Sequence, residues 1–192
     1  MTAQTQANWT DEDETAILNA IDKWVEGEVR PIAQEHDQAD SYPHELVEQM
    51  KELGLFGAII SPNYGGLGLP ASTYAKIVLK VATAWMAPSG IFNSHLIMAS
   101  AIERTGTEDQ KAEWLPKMAT GELRGGIALT EPNAGTDLQA IRTKAEKTNE
   151  GYRLNGTKTW ITNSLNGNCL MILAKTDPEA EPRHKGMSAF LA

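Results

Sequence analysis

From Thr10 onward the apolar residues Ile17, Leu18, Ile21, Trp24, Val25, Val29 and Ile32 recur at three- and four-residue steps. That spacing gathers them on one face of an amphipathic helix, with Thr10 as its N-cap. A second helix is predicted with Pro43 in its first turn, burying Leu46, Met50 and Leu53 and stopping at Gly54. The glycine-rich run Asn63 to Gly68 reads as a loop, and helical patterns resume from Ala71 to Trp85 and from Ser89 to Arg104. Another helix opens at Thr107, where Thr107-Glu108-Asp109-Gln110 has the form of a capping box, and carries Trp114, Leu115 and Met118.

After Gly125 the period changes. Short β-forming runs at Ile127–Leu129, Ile141–Lys147, Tyr152–Leu154, Lys158–Thr162, Leu170–Ala174 and Met187–Leu191 are broken by turn residues at Asn149–Gly151 and Asn155-Gly156. Helices followed by strands imply an α+β chain of two domains, residues 1–123 helical and residues 124–192 a β domain. The chain closes inside the strand-like Met187–Leu191 without a turn or polar tail, so the sheet is expected to be incomplete, through a shortened form, a split gene or a missing partner segment.

Composition narrows the function classes. The net charge is −8, and residues 1–60 hold 13 acids against 3 bases, so the acidity belongs to the helical beginning. Such a balance repels nucleic acid. Between Ala140 and Trp160 the bases Arg142, Lys144, Lys147, Arg153 and Lys158 outnumber Glu146 and Glu150, which suits a phosphate-bearing ligand or a solvated hairpin of mixed charge. The longest nearly apolar stretches, Gly54–Ile60 and Leu170–Ala174, fall far short of the roughly 20 residues a membrane helix needs. The first fifteen residues lack Lys and Arg, the reverse of a presequence, so the chain stays where it is made or has been processed earlier; the lone Cys169 in an apolar run favours a reducing compartment, and a cytoplasmic setting is expected. No phosphate-binding glycine loop and no His or Cys cluster at metal-ligand spacing is present, so no metal site is expected.

The most informative stretch is Ala128-Leu129-Thr130-Glu131-Pro132-Asn133-Ala134-Gly135-Thr136-Asp137, followed by Lys158-Thr159-Trp160-Ile161-Thr162-Asn163. The first places a strand end beside a turn of small residues, where a ligand can approach the backbone and the hydroxyls of Thr130 and Thr136 can bond it; an ordinary strand-to-loop junction looks the same. Both stretches resemble signature blocks of the acyl-CoA dehydrogenase family. The resemblance continues in order through Leu53-Gly54-Leu55, Tyr64-Gly65-Gly66, Gly106-Thr107-Glu108, Leu115-Pro116 and Gly121-Glu122.

The resemblance implies an FAD-dependent enzyme that oxidises acyl-CoA to trans-2-enoyl-CoA and passes electrons to an electron-transfer flavoprotein, working as a dimer or tetramer. It implies an antiparallel, barrel-like β domain and, beyond this chain, a helical bundle that supplies the catalytic base. No acid present here is therefore nominated as base, and Glu131 is read as support for its loop. Ile127, Leu129, Thr130, Gly135 and Thr136 would line the flavin edge, with Thr136 also near the acyl-CoA. Trp160 would cover a ring face, next to Ile161, and Thr162 would bond near the reactive nitrogen. Phe92 and Leu96, on a helix over residues 84–100, would face the acyl chain or else pack in the helical core, and His95 would be a polar pocket residue or a half-exposed helix residue. Acyl-CoA oxidases, flavin monooxygenases of the same fold and a non-catalytic split subunit remain the alternatives.

Overall fold

The computed structural model describes residues 9–192, which divide into two compact units at Leu123 and Arg124. The first unit is helical: α1 Asp11–Trp24, α2 Arg30–Ala39, α3 His44–Glu52, α4 Ala71–Ala84, α5 Met86–Thr105 and α6 Glu108–Ala119. Thr10 caps α1 reciprocally, accepting from the Asp13 amide while Asp13 accepts from the Thr10 amide, and four acids occupy the first turn where the helix dipole favours them. The helix expected to run unbroken to Ile32 instead contains a π-turn at Val25–Val29 before continuing as α2. Val25 and Val29 both lie in the core, and apolar spacing alone does not reveal the π-turn, because residues four apart share a face in an ordinary helix too. Pro43 caps α3 instead of lying in its first turn, and Gly54 ends it in the left-handed conformation at φ 70°. Leu53 is only half-buried.

The core of this unit is built from Ile21, Leu46, Met50, Phe56, Ile77, Phe92, Leu96, Met98, Ile102 and Leu115, all at or near zero exposure. His95 lies among them with no exposed surface, which corrects both sequence readings of it. Its Nε2 lies 3.2 Å from the Phe56 carbonyl and 3.1 Å from the Met118 carbonyl. Two acceptors facing one nitrogen require that Nε2 carry the proton and donate. The histidine therefore ties α5 to the turn after α3 and to the end of α6.

The glycine-rich run folds back on residues 57–60 through the amides of Leu67, Gly68 and Leu69, which donate to Gly57, Ile60 and Ala58 at 2.8–2.9 Å. A side chain at Gly66 would overlap the Ile60 carbonyl, whereas one at Gly65 would meet open space and only the penalty of φ 81°. Gly66→Ala is therefore expected to destabilise the helical unit by about 2–4 kcal/mol and Gly65→Ala by about 1 kcal/mol. Urea unfolding of the two variants followed by far-ultraviolet circular dichroism checks that order.

The second unit is one sheet of β1 Gly125–Ala128, β2 Lys144–Thr148, β3 Gly151–Asn155, β4 Cys169–Lys175 and β5 Met187–Leu191. It is mixed and not wholly antiparallel: β4 runs parallel to β1, with Gly125 opposite Cys169, and parallel to β2 at Lys144 and Lys175, while β2–β3 and β4–β5 are antiparallel. Short strands in sequence suggest hairpins, but the segment between Thr130 and Thr143 carries the chain along the same side of β4 and leaves β1 and β2 parallel to it. Lys158–Thr162 is not a strand, because Trp160 and Asn163 hold left-handed backbone at φ 58° and 68°, which extended pairing does not allow.

Candidate functional site

The two signature blocks meet within the sheet unit. At the end of β1 the chain turns tightly at residues 131–134, where the Glu131 amide donates to the Ala134 carbonyl at 2.8 Å and the Ala134 amide donates back at 3.1 Å. This turn places Gly135 and Thr136 at the surface. Across from it, the Thr159 amide donates to the Thr130 carbonyl at 2.9 Å. The Lys158 ammonium bonds both the Leu129 carbonyl and Glu131 Oε1 at 2.9 Å. Segments separated by about thirty residues in sequence are thus sewn edge to edge.

Glu131 is the centre of that seam, 7% exposed. Its carboxylate also accepts from the amides of Arg142 at 2.6 Å and Thr143 at 3.0 Å. Burial by itself would raise its pKa, but hydrogen bonds from Thr143, the Arg142 amide and Lys158 outweigh burial and hold it at about 2. The Thr143 contribution that the geometry supports is its amide, since Thr143 Oγ1 finds no well-aligned partner. Sequence reasoning assigned Glu131 a supporting role without its partner. The signal was present as one acid and one base, each in an otherwise weakly charged block, but nothing in one chain says that the two blocks are neighbours.

Beyond the seam the loop projects. Trp160 is 93% exposed and Leu165 89% exposed. Asn163 anchors the loop from beneath, its Nδ2 donating to the Gly125 carbonyl at 2.7 Å. Thr162 is exposed, Ile161, Ile127, Leu129 and Thr130 are half-buried, and the Thr130 amide has no hydrogen-bond partner among the described residues. The structure therefore brings Leu129 and Thr130 to the Lys158–Thr162 loop and puts Gly135 and Thr136 on the adjoining turn. Thr159 Oγ1 is buried without a partner. In the helical unit Phe92 is sealed in the core, edge-on to Tyr74, while Leu96 borders a cavity of about 340 Å³ with Ile59, Tyr74, Asn93, Ile97 and Ser100. Among the described residues no cluster of His, Cys, Asp or Glu could hold a metal ion, and no helix is long and apolar enough to cross a membrane.

The Glu131 carboxylate has its pKa lowered from 4.5 to about 2, so its contribution to stability is complete above pH 4.5 and is lost as the pH falls towards about 2. Glu131→Gln is expected to cost about 3 kcal/mol at neutral pH, and the difference from the native chain should close as the pH drops through that window. Denaturant midpoints of the sheet unit, followed by the amide signals of β4 and β5 over a pH series, measure both quantities.

Residues 11–122 match the acyl-CoA dehydrogenase N-terminal domain family and residues 126–192 the acyl-CoA dehydrogenase middle domain family. Mitochondrial isovaleryl-CoA dehydrogenase of Pongo abelii is 33% identical over 187 residues, an alignment that covers 96% of this chain and 44% of that protein. The crystal structure of acyl-CoA dehydrogenase from Geobacillus kaustophilus superposes with a TM-score of 0.87 at 34% identity, over 97% of this chain and 49% of that one. A glutaryl-CoA dehydrogenase from Mycobacterium smegmatis in complex with FADH2 gives 0.84 at 29% identity, over 95% of this chain and 46% of that one. The chain thus spans a little under half the length of the curated relative it matches. Both of its units, in order and over nearly every residue, find their counterparts in one set of proteins, and the chain belongs to the acyl-CoA dehydrogenase family.

Proposed function

We propose that this chain supplies the flavin-facing half of an FAD-dependent acyl-CoA dehydrogenase whose whole form oxidises acyl-CoA to trans-2-enoyl-CoA. The observation that carries the reading is Trp160: an indole 93% exposed, on left-handed backbone, held out from the sheet by a loop that is itself hydrogen-bonded down. An exposed indole forfeits much of the hydrophobic gain that burial would provide, and it recovers that gain on covering a planar ring.

The surrounding residues fit a flavin chemically. The unpartnered Thr130 amide and the exposed hydroxyls of Thr136 and Thr162 offer donors to polar ring atoms or to phosphate, and a side chain placed at Gly135 would meet nothing within 4 Å, so the backbone there is open to a ligand. In this reading Ile127, Leu129, Thr130, Gly135 and Thr136 border the ring system, Trp160 and Ile161 cover it, and Thr162 bonds it. When bound, the flavin supplies the hydride acceptor for the β-hydrogen of the acyl chain. Thr136 contributes to the acyl-CoA side; within the helical unit Leu96, which borders the cavity, is the candidate for the acyl chain, whereas Phe92 lies sealed in the core. Glu131, spent on two amides and an ammonium and fully ionised at neutral pH, has no role as a base here. An electron-transfer flavoprotein as acceptor, a homo-oligomeric whole protein and a cytoplasmic setting belong to the same reading.

Titrating the purified chain with FAD and recording the visible absorption spectrum tests the proposal. A perturbed flavin band that survives removal of free FAD is expected, with affinity falling about tenfold in Trp160→Ala and again in Thr162→Val. A spectrum identical to free FAD in the native chain, or affinity equal to that of the native chain in both variants, would sink it.

A further inference from the structure

Lys158 and Glu131 are buried to an extent unusual for charged side chains, at 11% and 6% side-chain exposure, and they lie directly behind the surface that carries Trp160. We propose that the Lys158–Glu131 pair is a positioning device for the flavin, which fixes the Leu129–Thr130 peptide and the Thr159–Thr162 loop as one surface and strengthens the Thr130 amide as a donor; this rests on the flavin reading above.

Three contacts carry the argument. Lys158 has three donors on one nitrogen, and it spends one on Glu131 and one on the carbonyl of Leu129. That carbonyl belongs to the same peptide group as the Thr130 N–H, which has no partner among the described residues. A charged donor on the oxygen of an amide polarises the whole group and makes its N–H a stronger donor, an effect that grows where water is excluded. The next carbonyl, that of Thr130, receives the Thr159 amide at 2.9 Å, so the residue that begins the Trp160 loop is tied to the same strand end. Glu131 in turn holds the ammonium in place from a carboxylate already fixed by the Arg142 and Thr143 amides.

A pair that served stability alone would be replaceable by apolar side chains of similar volume at little cost. A positioning pair would not be, because neither the polarised peptide nor the seam between the two segments survives that exchange. The geometry also distinguishes lysine from arginine only weakly, since a guanidinium can still meet both a carbonyl and a carboxylate.

The test compares Lys158→Met, Lys158→Arg and the double replacement Glu131→Leu with Lys158→Met in the full 192-residue chain, by amide exchange without flavin and by titration with FAD. In Lys158→Met the amides of Ala134 and Thr159 are expected to exchange about tenfold to a hundredfold faster while those of β4 keep their rates. Its FAD affinity is expected to fall about tenfold, with the absorption band moving towards that of free flavin, whereas Lys158→Arg should retain most of both properties. Should Lys158→Met lose β4 protection, the double replacement, which leaves no unpaired buried charge, decides on the same readouts. Unchanged Ala134 and Thr159 exchange in Lys158→Met, or native-like FAD affinity and band shape in the double replacement, overturns the proposal. A native chain that leaves the FAD spectrum unaltered overturns the flavin reading instead, and exchange alone then decides whether the pair ties the two segments.

Discussion

A single buried carboxylate organises the sheet unit. Glu131 takes hydrogen bonds from two backbone amides and an ammonium, and through them it joins the end of β1, the approach to β2 and the start of the Trp160 loop. A carboxylate at 7% exposure is costly to leave unpaired, so the segments that supply its partners are held in one arrangement or the unit loses far more than a surface contact. The left-handed backbone at Trp160 and Asn163 depends on that arrangement: each such residue carries strain that only a surrounding set of fixed contacts can sustain. The same contacts leave a large indole in solvent.

The helical unit follows a different logic. One of its buried polar groups, His95, donates from one nitrogen to the carbonyls of Phe56 and Met118 and so ties α5 to the turn after α3 and to the end of α6. The fold-back of residues 57–69 serves the same end, its amides reaching the carbonyls of Gly57, Ala58 and Ile60, and it requires a glycine where the two strands of chain touch. Between them these contacts place Leu96, Tyr74 and Asn93 around a cavity whose walls come from α4, α5 and the residue Ile59.

Family membership and site geometry speak to different questions. Similarity over both units establishes what this chain is related to, along under half of the relative's length. What the sheet unit adds is a surface with defined donors and an exposed ring, whose fitness for a flavin can be measured directly on this chain.

The sequence by itself determined the local structure: reciprocal capping at Thr107, the stop at Gly54, the helical period before Gly125 and the strand-forming runs after it are decided by neighbours within a few residues. It also marked the two blocks that meet at the candidate site. Only the tertiary structure decided that β1 and β2 both lie parallel to β4, that the helix through Val25–Val29 takes a π-turn, that His95 is wholly buried and that Lys158–Thr162 is a loop and not a strand. The extended reading of Lys158–Thr162 came from its Thr, Trp and Ile, which favour strands on average; here the bonds of Lys158 to Glu131 and Leu129, of Thr159 to Thr130 and of Asn163 to Gly125 impose another course. Those partners lie about thirty residues or more away along the chain, and periodicity carries no information about which distant groups a side chain will meet.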